Sequence, residues 1–501
     1  MNIKMILYVL GYIMKLEGAL LVLPLVVTMY YKEGNIPAFL LTILILFVFG
    51  HMMSFKKPKN TIIYAKEGFV IVALSWFALS LFGALPFTIS GEIPNYIDAV
   101  FEVISGFTTT GSSVLTDVEA MSKGLLFWRS FTHWIGGMGV LVFVLSIVPL
   151  AGGRSMHIMK AEVPGPTVGK LVPKIKESAK ILYQIYIVLT IILIILLVAG
   201  KMSLFDSMVH AFGTAGTGGF GIKATSIGYY NSAYIDVVIT IFMMLFGVNF
   251  NLFYLIITGS VIAALKSEEL RNYIAIIAAA AVVMAINILP KYDNFFQALR
   301  YSAFQVGSVI TTTGYSTADF NQWPMFSKIV IFLLMFIGAC AGSTGGGIKV
   351  SRVTIAFKSI IQHIKGLIHP RYVGTVRFEN NPIDSSTLKG VHIYLSVYFF
   401  IYLISILLVS VDNVDFETTV SAVTTCFNNI GPGFGLVGPA GNFDGFSYFS
   451  KIILSINMLL GRLEIFPILM LLSPSIWKTK AHINSIRVND KTVKDINISK
   501  N

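Results

Sequence analysis

Charge is scarce in this chain. Asp, Glu, Lys and Arg make up 12% of its 501 residues, about half the roughly 25% that soluble domains carry. Hydrophobic residues fill 55% of it. A soluble core cannot hide that much apolar surface, whereas lipid accommodates it. Cysteine is nearly missing. Cys340 and Cys426 both lie in apolar stretches, which argues against a disulfide framework and for two buried thiols. His157, His363 and His369 show no metal-ligand spacing. No nucleophile–base set stands out, so nothing in the chain reads as an enzyme. The apolar N-terminus is followed by no small-residue cleavage site and is expected to be a retained membrane helix.

The charges that are present are lopsided: 37 basic against 25 acidic residues, a net +12. They are also sorted. One set of loops carries Lys56, Lys57, Lys59 and Lys66, then residues from Arg154 to Lys180, then Lys266 and Arg271, then residues from Arg352 to Lys389 and a tail from Lys478. The opposite loops carry only a scatter. Positive-inside topology places the basic loops and both termini in the cytoplasm. Nucleic-acid binding is the other reading of a basic chain, but no basic soluble domain is present to support it.

A spanning helix needs about 20 mostly apolar residues. Two candidates come first, 5–31 and 36–55. A pattern then repeats four times: long outer helix, short apolar helix, glycine turn, inner helix. The outer helices are predicted at 67–90, 179–200, 271–290 and 390–411. The short ones are 97–107, 205–215, 297–310 and 416–428, and the inner ones 125–150, 233–265, 325–360 and 448–475. About three turns cannot cross a bilayer, so the short helices are read as re-entrant. The expected fold is therefore an all-α integral membrane protein, with a two-helix unit (1–60) and four pseudo-repeats (61–160, 161–266, 267–370, 371–476) around a central pore, then a cytosolic tail (477–501). Asp98 and Asp206 each stand thirteen residues before the turn glycine and are expected to cap their short helices. Tyr301 and Thr418 hold that offset in the other repeats, so the cap is not expected to be universal.

The four turns are Thr109-Thr110-Gly111, Thr217-Gly218-Gly219, Thr312-Thr313-Gly314 and Asn429-Ile430-Gly431. Glycine opens backbone dihedrals that let carbonyls point inward. The Thr and Asn residues add side-chain oxygens. Rings of backbone carbonyls replace the hydration shell of K+, and the C-terminal ends of the short helices would favour a cation. No carboxylate ring accompanies the turns, which disfavours a divalent filter. The strands are unequal, so sharp fourfold discrimination is not expected.

Two further features stand out. The run from Gly338 to Gly347 breaks the third inner helix, since each glycine costs roughly 1 kcal/mol relative to Ala. It is no phosphate-binding loop, because Ile348 separates Gly347 from Lys349. It is either a packing kink or a mobile loop under the filter, with Gly345, Gly346 and Gly347 at its centre. Arg462 sits in an apolar helix, where a charge is costly and functional by default. The structural alternative is a pair with Glu464 or another carboxylate. His133, Trp128 and Trp134 read as packing or interfacial residues.

Several segments resemble the Trk/Ktr/HKT superfamily of potassium transporters across the whole chain. They are the stretch Phe127 to Gly139 (FWRSFTHWIGGMG), Lys160 to Pro166 (KAEVPGP), Thr217 to Phe220 (TGGF), Gly342 to Lys349 (GSTGGGIK), Asn428 to Gly433 (NNIGPG) and Gly461 to Phe466 (GRLEIF). The two extra N-terminal helices look like the TrkH branch. The resemblance implies K+ uptake across a bacterial cytoplasmic membrane, with no cofactor. It implies a homodimer with a pore in each subunit and a separate cytosolic nucleotide-binding regulator of the TrkA type. It also implies a gating role for loop 338–348 and a pore-facing Arg462 that acts as an electrostatic barrier. Relatives that favour sodium carry Ser where this chain has Gly111, which points to potassium. Passive permeation and coupling to protons or sodium remain alternatives, although coupling usually calls for titratable groups at the ion site.

Overall fold

The computed structural model describes residues 1–61, 63–139, 175–371 and 374–477. Among these the chain is helical, apart from a two-residue antiparallel pair, Arg377–Phe378 with Asn381–Pro382. Among the described residues six helices are long and apolar enough to cross a membrane: Ile3–Tyr30, Ile36–Ser54, Lys66–Ser90, Lys180–Ala199, Glu268–Lys291 and Ser385–Asp412. The first two pack tightly because Gly11 faces Gly50. A Cβ on Gly11 would stand 2.6 Å from the Gly50 carbonyl oxygen, a small-residue contact typical of membrane helices.

The short helices lie where the apolar pattern predicts them: Tyr96–Phe107, Leu204–Gly216, Phe295–Ile310 and Phe416–Asn428. Their caps differ from expectation. The side chains of Asn95, Ser203, Asn294 and Asp415 accept the first free N–H groups. Every repeat is therefore capped, each cap worth about 1 kcal/mol. Three of these residues precede the turn glycine by sixteen positions. Asn294 precedes it by twenty, because the third short helix has 16 residues against 12 in the first. Asp98 and Asp206 sit one turn further in, where a carboxylate still opposes the helix dipole. Their side chains are engaged elsewhere, Asp98 with Lys451 at 2.7 Å and Asp206 with the Tyr230 hydroxyl at 2.8 Å.

The inner helices also differ from expectation. None is one continuous rod over the range read from the sequence. They are Lys123–Gly137, Ala233–Phe246, Met325–Ile337 and Tyr448–Arg462, each between 13 and 15 residues long. After the second, the chain bends by 94° into Phe250–Ile257. After the third comes the glycine-rich loop, and helix Val350–Ile368 follows. After the fourth, Glu464 and Ile465 take positive φ before Phe466–Leu472. Membranes tolerate irregular backbone of this kind only away from lipid. Residues 140–150 of the first predicted inner helix, the segment Lys160 to Pro166 and the tail from Lys478 lie outside the described residues.

The repeats close on one another in a circle. The inner helix of each packs against the short helix of the next, and that of the fourth against the first. Charge marks each seam. Lys123 lies 4.6 Å from the Phe205 ring centroid, Asp236 pairs with Arg300 at 3.4 Å, Lys328 with Glu417 at 2.6 Å and Lys451 with Asp98 at 2.7 Å. Partly exposed pairs of this kind set register more than they stabilise.

Candidate functional site

Each short helix ends in the same way. Within two residues of its end the chain turns left-handed: Thr109 at φ 56°, Thr217 at 56°, Thr312 at 59° and Asn429 at 57°. The next N–H then reaches back five residues, Thr110 to Ser105, Gly218 to Gly213, Thr313 to Ser308 and Ile430 to Thr425, all at 2.8–2.9 Å. This is the Schellman termination, which normally takes glycine. Threonine there is strained by about 1–3 kcal/mol, and three of the four repeats carry that strain. The third residue of each turn is the glycine, again with positive φ: Gly111 at 83°, Gly219 at 76°, Gly314 at 83° and Gly431 at 96°.

These glycines are needed for closeness as well as for φ. A Cβ on Gly111 would strike the carbonyl oxygen of Gly218. One on Gly219 would strike that of Thr313, and one on Gly314 that of Ile430. On Gly431 it would stand 2.7 Å from that of Thr110. The four strands thus form a closed ring in chain order, with the carbonyl of each middle residue against the neighbouring glycine. The twelve residues singled out in the sequence all fall in this ring.

The unequal middle residues have distinct surroundings. The hydroxyls of Thr110 and Thr313 bond back to Thr108 at 2.8 Å and Thr311 at 2.7 Å. In the second repeat the ring of His133 occupies that space. A Cβ on Gly218 would collide with it. His133 accepts from the Phe220 N–H at 3.2 Å through Nε2, so Nδ1 carries the proton and donates to the Gly106 carbonyl at 2.7 Å. Ile430 is fully buried in an apolar cluster with Phe434. At the inner end of the ring, Thr109 Oγ1 and Asn429 Oδ1 are buried without hydrogen-bond partners. Such orphaned acceptors suit a dehydrated cation. Asn429 Nδ2 ties the fourth strand to the first through Thr110 Oγ1 at 2.9 Å.

On one side of the ring lies a cavity of about 150 Å³, lined by Gly111, Gly219, Gly314 and Gly431. Its two basic residues are paired. Arg129 meets Glu102 at 2.6 Å, with side-chain exposures of 4% and 0%. Glu102 also accepts from Ser113 Oγ and the Val114 N–H, both at 2.9 Å, while Arg129 donates to the Gly221 carbonyl at 2.9 Å. This buried pair braces the loops that follow the first and second turns. Lys223 pairs with Glu119 at 2.7 Å, and that hydrogen bond holds the Glu119 carboxyl below its ordinary range.

On the other side the glycine-rich loop lies directly under the ring. The Gly346 N–H donates to Thr312 Oγ1 at 2.6 Å, and the loop also bonds the bend after the second inner helix, with Cys340 N–H on the Gly247 carbonyl at 3.1 Å. Arg462 donates to the Thr344 carbonyl at 2.7 Å and the Gly137 carbonyl at 2.8 Å, and also to that of Gly136. It therefore joins the loop to the end of the first inner helix. It does not pair with Glu464, which is bidentate to Arg352 at 2.6 and 3.1 Å. Lys349, given no role from the sequence, is buried and donates to the Gly345 carbonyl. Its signal was a lone lysine closing an apolar segment. Glu102 was missed as well, although it is a single carboxylate inside an apolar short helix. Trp128 and Trp134 pack, donating to the Gly83 carbonyl and Thr190 Oγ1. Cys340 and Cys426 are buried and free.

The family described as TrkH, cation transport protein, matches residues 35–282 and 284–479. The Trk system potassium uptake protein TrkH of Escherichia coli (strain K12) is 35% identical over 95% of this chain and 100% of its own length. TrkG of the same organism is 32% identical over 95% of this chain and 99% of its own. The crystal structure of the potassium transporter TrkH from Vibrio parahaemolyticus superposes with a TM-score of 0.85 at 32% identity, covering 95% of this chain and all of that one.

Proposed function

Because this chain belongs to the TrkH family of cation transport proteins, we propose that it takes up K+ through a channel-like pore whose filter is the closed ring of four turns. The observation that carries this reading is the ring itself: four left-handed turns, each glycine against the next strand's carbonyl. A carbonyl ring exchanges one oxygen shell for another without proton chemistry. Among the described residues, no carboxylate lines the cavity at the ring, which supports passive permeation over proton or sodium coupling.

Below the ring, the loop around Gly345, Gly346 and Gly347 is read as the gate, and Arg462 as a fixed positive charge that repels cations while the loop is in place. By charge asymmetry the basic loops and both termini face the cytoplasm. The superfamily resemblance adds a homodimer and a TrkA-type nucleotide-binding subunit as proposed partners.

Uptake in cells lacking other potassium systems tests the proposal, with rubidium, sodium and lithium compared across pH. Preferred uptake of K+ and Rb+ with weak pH dependence is expected. A strict proton requirement would overturn passive permeation.

A further inference from the structure

Glu269 lies in the first turn of helix Glu268–Ile288 and is 5% exposed. A single oxygen of its carboxylate, Oε1, accepts from the Ala341 N–H at 2.8 Å and the Ser351 N–H at 3.1 Å. Those two N–H groups bracket the stretch of the loop from Gly342 to Gly347. Ala341 lies near its start, and Ser351 is in the first turn of the helix that follows. One side chain therefore pins both ends of the loop.

The position of Glu269 is itself held. Its helix is capped by Ser267, whose Oγ accepts the Leu270 N–H. The Glu379 carboxylate, reaching from the turn of the short strand pair, accepts from Ser267 Oγ at 2.7 Å and from the Glu268 and Glu269 N–H groups at 3.0 and 3.1 Å. Glu268 returns the contact by accepting the Glu379 N–H at 3.2 Å. Other loop anchors are backbone pairs, such as Phe250 N–H to the Gly342 carbonyl at 3.0 Å and Val350 N–H to the Ala339 carbonyl at 3.1 Å, and contacts from the Thr312, Arg462 and Lys349 side chains. Glycine backbone gains much freedom once released, so this segment depends on its anchors.

We propose that Glu269 is a latch that holds the glycine-rich loop in place under the ring by accepting both flanking N–H groups. It is a positioning residue and acts through the loop backbone. Its functional meaning rests on the reading of that loop as the gate.

The chain carries its own reporter. Cys340 sits in the loop and Cys426 in the fourth short helix, both buried. The test uses the full chain in lipid vesicles, a maleimide, and mass spectrometry to assign the label. Glu269→Ala should raise Cys340 labelling several-fold while Cys426 stays protected. Glu269→Asp keeps the charge but retracts it by one methylene, so it cannot reach both N–H groups. It should move the rate in the same direction and covers the case in which the alanine variant fails to fold. An unchanged Cys340 rate in a folded variant overturns the latch, as does a parallel rise at both cysteines. Ion flux is read separately. A raised Cys340 rate with unchanged flux upholds the latch and removes the loop's role as gate.

Discussion

The backbone N–H of Gly346 donates to the hydroxyl of Thr312 at 2.6 Å. Thr312 begins the third turn of the ring and Gly346 lies at the centre of the loop beneath it. Ring and loop are thus joined by this hydrogen bond. Removing its acceptor leaves a buried N–H unsatisfied, at a cost of about 1–3 kcal/mol. Thr312→Val should therefore favour displacement of the loop and raise unregulated flux by about tenfold or more. Thr312→Ser keeps the hydroxyl and should stay near wild type. Flux from vesicles without any cytosolic partner checks both.

Gly111→Ser should lower the potassium-to-sodium ratio. The new Cβ pushes against the Gly218 carbonyl, and φ 83° strains any residue with a side chain. Competition of sodium against rubidium uptake measures it. An unchanged ratio would show that the filter lies elsewhere.

Arg462→Ala should raise the leak in the state described here. It removes a positive charge from beside the loop and frees the Thr344 and Gly137 carbonyls. Arg462→Lys keeps the charge but cannot make the same fork of bonds, so its leak should fall between the two. Cation efflux from loaded vesicles reads the order.

Glu102→Gln breaks a fully buried pair and strands Arg129. A loss of about 3–5 kcal/mol is expected, together with reduced selectivity, because the loops after the first two turns lose their brace. Ser113→Ala removes one bond to Glu102 and should show the selectivity change with little loss of stability. Thermal unfolding and ion competition separate the two effects.

Glu119→Gln frees the charge of Lys223 beside the cavity and should slow cation entry, most clearly at low salt, where screening is weak. Acid should mimic it. Lys223 holds the Glu119 carboxyl below its usual range, so the pair persists at neutral pH and is lost only as pH falls through that lowered value. In Glu119→Gln this acid-dependent step should vanish.

Much of the architecture was legible because its signals are local. Apolar runs of spanning length, three-turn helices and a glycine after each need no partner to be read. The capping residues were misassigned because Asp98 and Asp206 share an offset, while Asn95, Ser203 and Asp415 share another that the longer third helix obscures. The breaks in the inner helices were missed at Gly247 and Leu463 because hydropathy continues through them. A break in the backbone leaves no mark on composition when the residues on both sides stay apolar.

The sequence by itself determined the helices, the four turns and their glycines, since helix ends and left-handed dihedrals depend on a few neighbouring residues. Tertiary structure decided what those turns face. Gly218 stands where the first and third turns have threonine because His133, from a distant helix, fills the space. Arg462 bonds carbonyls and not Glu464 because Arg352 reaches that carboxylate first. Such contacts arise from the circular packing of the repeats, and no local pattern encodes which residues meet across it.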